Sequence, residues 1–201
     1  MPFDTSEITT RNMPPEPFAA DLYAADLWVF GYGSLIFRAD FPYADKCPAT
    51  IDHWARRFWQ GSSDHRGTPD YPGRVVTLVS APNLVCWGMA YRIAAHQIDE
   101  VLDHLDYREK GGYERLELPL NLEGQRVVGL TYHATEGNPD YLGHTDADSM
   151  VQQISSASGP SGPNREYLLK LEASLKAHSV TDDHVFELAD RLRALESGRP
   201  A

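Results

Sequence analysis

The sequence predicts an α+β domain: a small, mixed but mostly antiparallel sheet able to curl into a β-barrel, with flanking helices and a helical C-terminal part. Three observations carry this. Six runs rich in β-branched and aromatic residues fill 27–134, separated by Gly, Pro, Asn and Asp. A single helical stretch, about 96–108, interrupts them. Beyond residue 138 the apolar period changes from that of strands to that of helices.

In chain order, residues 1–26 are rich in Pro and acids and lack a period. They predict an arm that packs only in part, ahead of a single domain over 27–197. LWVFGY (27–32) opens the sheet. TIDHWARRFWQ (50–60), RVVTLV (74–79), VCWGMAYRI (85–93), ERLELPL (114–120) and VVGLTYHA (127–134) continue it. Within the interrupting helix, Ile98, Val101, Leu102 and Leu105 cluster within about 60° on a helical wheel. Gly111-Gly112 offers the left-handed cap that ends such a helix. DADSMVQQISSAS (146–158) predicts a helix and GPSGPN (159–164) a turn. REYLLKLEASLKAHS (165–179) sets Tyr167, Leu168, Leu171 and Leu175 on one face. DDHVFELADRLRALES (182–197) does the same with Val185, Leu188, Ala189, Leu192 and Leu195.

Composition narrows the function. The 201 residues are 42% hydrophobic and 23% charged, as in ordinary soluble domains, and suffice for one core. A net charge of −11 and the lack of a basic run argue against nucleic acid and acidic membrane surfaces as partners. Cys47 and Cys86 form no CxxC, and no His pair stands at metal spacing, so the sequence predicts no metal site and a reducing, cytoplasmic setting. The N-terminus has no apolar signal core, and no run approaches the roughly 20 apolar residues of a membrane span.

Two stretches could carry chemistry. In VLDHLDYREKGGYE (101–114), continuing the helical count puts Glu109 about 20° from Ile98, where an amphipathic helix asks for another leucine. Either Glu109 lies past the helix end and meets water beside Arg108 and Lys110, or a carboxyl is aimed inward. In WVFGYGSLIF (28–37), a strand runs into Gly31-Tyr32-Gly33-Ser34, whose backbone N–H groups can form an anion-holding concavity. Taken alone, such a turn after a strand is more often only a turn. With Ile36 in the third glycine position and no Gly-Lys-Ser/Thr, it is neither a dinucleotide fingerprint nor a P-loop. Asp64, His65 and Arg66 sit in a polar loop held by turn chemistry; without a G-x-S-x-G elbow they do not make a serine hydrolase. Tyr113, Tyr132 and Tyr141 read as half-buried rings at strand or loop edges.

Seven blocks in one order (VFGYGSLIF, RRFWQGSSDHRGTP, PGRVVTLV, CWGMAYRI, LDYREKGGYER, NPDYLG and GPSGPNREYLLKL) closely resemble the ChaC family of γ-glutamylcyclotransferases across about 27–195. The resemblance implies a barrel-centred enzyme that acts on glutathione and releases 5-oxoproline and cysteinylglycine, with no metal and no cofactor. It assigns the catalytic base to Glu109 of the REKGGY block. It assigns a backbone cradle for the γ-glutamyl group to Tyr32, Gly33, Ser34 and Leu35, entered through Gly31, and extends pocket-lining roles to Tyr113 and Tyr141. The chain departs from the family at Phe37-Arg38-Ala39, where many relatives carry a Trp-x-Pro-like segment, and in its longer N-terminal arm, which leaves the assembly state open. Two alternatives stand beside this reading: the same chemistry on another γ-glutamyl amine or peptide, and a non-catalytic regulatory module associated with cation transport. A module of that kind has no use for a free carboxylate at Glu109.

Overall fold

Leu27–Gly31 forms β1, buried from Val29 onward, and pairs antiparallel with the far end of Gly73–Ile93, β3. Asp45–Ser62 (β2) lies along the whole of β3. Glu114–Leu122 (β4) and Gln125–His133 (β5) make a hairpin about Gly124, which takes the φ of +75° its tight turn requires. In the computed structural model, which describes residues 26–198, these strands close a barrel in the order β1-β3-β2-β4-β5. Closure is made by a parallel contact between β1 and β5 at Val29 and Leu130, and the other ladders are antiparallel. The expected barrel is therefore present. Residues 1–25 of the expected arm lie outside the described residues. Asp26 accepts from Arg92 Nη1 at 2.5 Å and from the Ala95 N–H at 3.2 Å.

One expectation needs correction. The runs 74–79 and 85–93 are not two strands but parts of the single strand β3. SAPNL reads as a turn because it holds Pro and Asn. Instead it bulges: Trp54 pairs with Ser80 and Asp52 with Val85, so residues 81–84 stand opposite His53 alone. Pro82 sits in this bulge, where its missing N–H costs no ladder bond. Opposite it His53 takes φ 68°, and its Nδ1 lies 2.5 Å from Pro82 O.

Helices cover the barrel on two sides. Ile98–Arg108 (α1), entered through a 3-10 turn at Ala95–Gln97, buries Ile98, Val101, Leu102 and Leu105 against Val29, Met89, Tyr91 and Leu130. Each such side chain contributes about 1.5–3 kcal/mol when fully buried. Ala147–Ser156 (α2), Asn164–Ala177 (α3) and Asp183–Glu196 (α4) pack with the other core cluster through the apolar faces read from the sequence. Leu195 is the exception, at 39% exposure. The expected turn 159–164 is a two-stranded hairpin, Ser158–Gly159 (β6) with Gly162–Pro163 (β7). Asp146 caps α2 by accepting from the Ser149 N–H at 2.8 Å, and Asp182 caps α4 by accepting from Val185 at 3.1 Å.

Candidate active site

The apolar stripe of α1 fixes where its C-terminal end points. The helix stops at Arg108, and Glu109 follows with φ −95° and ψ 17°, its N–H still donating to Leu105 O at 2.8 Å. The chain then reverses: the Tyr113 N–H donates to Glu109 O at 3.2 Å, and Gly112 takes φ +83°. Asn138 clamps this reversal, donating from Nδ2 to the carbonyls of Gly111 (3.0 Å) and Gly112 (2.6 Å). A Cβ at Gly112 would lie 2.5 Å from that amide nitrogen, so glycine is required on both conformational and steric grounds. Glu109 thus lies one residue past the helix, yet its side chain is only 20% exposed. Both features posed by the sequence hold at once: a helix terminus, and an inward carboxyl.

That carboxyl lines a cavity of about 190 Å³ shared with Gly31, Tyr32, Gly33, Ser34, Leu35 and Tyr113. The turn after β1 is held by the Ile36 N–H donating to Gly33 O and the Arg38 N–H to Ser34 O. Among the described residues, the N–H groups of Gly33, Ser34 and Leu35 have no protein acceptor. Gly33 is pressed against the far wall: a Cβ there would lie 2.8 Å from Val76 Cγ2 and 2.9 Å from Tyr167 Oη. Tyr32 donates its phenol proton to Tyr132 O (2.8 Å) and Tyr113 to Val76 O (2.9 Å). Burial holds both phenols well above their ordinary pKa. Their protons are committed to backbone and cannot be shuttled.

Electrostatics favour Glu109 as a base. Burial raises its carboxyl above the ordinary range, against the opposing charges of Arg108 and His65, while Asp64 and Asp40 add to the rise. Arg108 Nε lies 3.4 Å from Glu109 Oε1, and its Nη2 donates to Ser34 Oγ at 2.6 Å. A carboxylate of increased basicity therefore shares one cavity with unengaged backbone donors. The arrangement can move a proton on one part of a ligand while hydrogen-bonding an anionic part.

Tyr141 is not brought to this cavity. Its backbone bridges to Gln60, and residues in such an extended pairing point alternately to opposite sides. Asp140 lines the cavity, and Tyr141 lines a separate depression with Trp54 and Trp59. Asp64, His65 and Arg66, read as a polar loop, do line it. Asp40 joins them, as do Ser161 and Tyr167 of the GPSGPNREYLLKL block, to which the sequence assigned no site role; only the closed fold reveals them. No group of three or more His, Cys, Asp or Glu among the described residues is placed to hold a metal. No described helix is long and apolar enough to cross a membrane.

Comparison with known proteins points to one family. The chain is 42% identical over 180 residues to Gamma-glutamylcyclotransferase 2-3 of Arabidopsis thaliana, covering 85% of this chain and 90% of that one. It is 39% identical over 196 residues to Glutathione-specific gamma-glutamylcyclotransferase 1 of Mus musculus, covering 92% and 88%. The crystal structure of the selenomethionine-labelled γ-glutamyl cyclotransferase specific to glutathione from yeast superposes with a TM-score of 0.80 at 31% identity, covering 84% of this chain and 96% of that one. The model of the ChaC-like protein family matches residues 27–195, the barrel and its helices together, and the chain belongs to that family.

Proposed function

We propose that this protein is a cytoplasmic γ-glutamylcyclotransferase, a carbon–nitrogen lyase that cleaves glutathione to 5-oxoproline and cysteinylglycine. The α-amine of the γ-glutamyl group attacks its own γ-carbonyl carbon. A new N–C bond closes a five-membered lactam, and the bond to the cysteine nitrogen breaks. Nucleophile and electrophile belong to one molecule, so the step asks for no enzyme nucleophile and no electron carrier. Well-oriented intramolecular attack is worth roughly 7–11 kcal/mol, provided the chain is held curled. The turn at Gly31–Leu35 holds the bend with its unengaged N–H groups.

The remaining obstacle is a proton. An α-amine of pKa about 8 is mostly ammonium at neutral pH and cannot attack. Glu109 takes that proton and returns one to the departing cysteine amine, a role worth about 10²–10⁴-fold. The observation that carries this reading is the placement of the Glu109 carboxyl, only 20% exposed and lining the cavity at the end of α1, where burial favours its basic role. The test is incubation of purified protein and a metal chelator with glutathione, following 5-oxoproline. Failure to form it would sink the proposal, and turnover of a different γ-glutamyl amine instead would reassign the leaving group.

A further inference from the structure

Arg66 lies on the loop between β2 and β3, lines the same cavity, and has a side chain only 10% exposed. Its Nη1 donates to Pro163 O at 3.2 Å, and its guanidinium lies 5.9 Å from the ring centre of Tyr167. The nearest carboxylate oxygen, on the half-exposed Glu166, is 4.0 Å away. Among the described residues, Nε and Nη2 have no acceptor. Arg74, as deeply buried, is served differently: its Nε donates to Gln153 at 2.6 Å and its Nη1 to Phe58 O at 2.9 Å. Arg108 is engaged by Asp40, Ser34 and Glu109. The two nitrogens are not sealed from solvent, so they are donors open to whatever fills the cavity, and a charged acceptor is the strongest partner they can take.

The site is rigid and its charge is reinforced. The Arg66 N–H donates to Ser62 Oγ at 2.9 Å, and Gly73 packs so closely that a Cβ there would lie 2.4 Å from Arg66 O. Arg38, 64% exposed and also on the cavity lining, opposes the Arg66 charge, so the two cations sense one another. An anion between them relieves that repulsion.

We propose that Arg66 contacts the substrate, binding the C-terminal carboxylate of the leaving peptide and so selecting glutathione over γ-glutamyl compounds that lack it. The assignment rests on the proposed cyclotransferase reaction. That reaction requires the attacking amine to reach Glu109, and the α-carboxylate shares its carbon with that amine. The α-carboxylate is therefore confined to the wall of Glu109, Arg108 and Ser34. Arg66 makes no hydrogen bond or ion pair with those three residues and stands instead against Pro163 and Tyr167 of the C-terminal part. The one other carboxylate of the tripeptide is that of its glycine.

The experiment compares kcat/KM for glutathione and for its C-terminal amide in the full chain, in Arg66→Met and in Arg66→Lys. The full chain is expected to prefer glutathione by about 30-fold or more, as for a buried charge pair with one partner removed. Arg66→Met should bring that ratio near one while keeping turnover of the amide, and Arg66→Lys should restore part of it. Since both substrates meet the same folded fraction, partial misfolding cancels in the ratio. A preference that survives Arg66→Met, or an equal fall on both substrates, overturns the assignment alone. A full chain that forms 5-oxoproline from neither compound overturns the underlying reaction and the assignment with it.

Discussion

Arg108 and Ser34 are joined by a 2.6 Å hydrogen bond from Nη2 to Oγ, tying the end of α1 to the turn after β1. The same guanidinium stands beside Glu109, where burial raises the carboxyl and Arg108 limits that rise. Arg108→Gln keeps a donor toward Ser34 and removes the charge. Without the cation the carboxylate is less favoured, so its pKa rises further and the basic form appears only at higher pH. The acidic limb of kcat against pH should move upward; a limb that stays or moves down would contradict the assignment.

Glu109→Gln preserves shape and removes basicity. It should lower kcat by at least about 10² while leaving the fold intact. Stability at pH 7 should not fall. The native carboxyl holds its proton more tightly than the unfolded one, so ionising it opposes folding as pH rises through and above the ordinary carboxylate range. Thermal melts at pH 7 check this, and a variant melting well below the parent would show that Glu109 supports the fold.

Asn138 binds two carbonyls of the Gly111-Gly112 reversal, while its Oδ1 accepts from the Asp140 N–H at 2.8 Å and from Gln60 Nε2 at 3.3 Å. Asn138→Ala leaves these groups unpaired in a site that is 8% exposed. A loss of about 1–3 kcal/mol in urea unfolding is expected. Because the clamp sets where Glu109 points, kcat should fall with it. A neutral effect on both would show that water replaces the amide.

His184 accepts from the Phe58 N–H at 3.0 Å, where β2 shifts register between Arg57 and Gln60. Desolvation, with the nearby charge of Arg57, lowers its pKa from 6.5 to about 4. The unfolded chain therefore takes up this proton first, and stability should decline as pH falls from 6.5 towards 4. The full effect is about 3 kcal/mol. His184→Gln, whose amide oxygen can still accept, should flatten that slope in melts across this range. An unchanged slope would assign the acid sensitivity elsewhere.

Much of this was legible in the residues. The helical count placed Glu109 on the buried face, and Gly111-Gly112 announced the reversal that keeps it there, although the residue itself stands outside the helix. Pattern failed where a long-range partner overrode a local signal. Pro82 and Asn83 carry turn chemistry, yet the length of β2 beside them keeps β3 one strand. Tyr141 looked like a pocket ring because its block is characteristic, but side-chain alternation hands the cavity to Asp140. Asn138, Arg108 and Arg66 were beyond local reading for another reason: their roles depend on which groups they meet across the fold.

The seam where β1 meets β5 at Val29 and Leu130 has a consequence for how the chain is made. Tyr32 donates to Tyr132, 100 positions later, and Thr131 and Tyr132 supply cavity wall from the last barrel strand. A nascent chain still short of β5 already contains the first turn and the acid but has nothing to enclose them. Long-range closure of this kind is slow because the loop entropy is lost before the contact forms. The cavity therefore appears only when the ring shuts, so under the proposed reaction a chain still emerging from the ribosome carries the acid and the turn without the enclosure that would let them work.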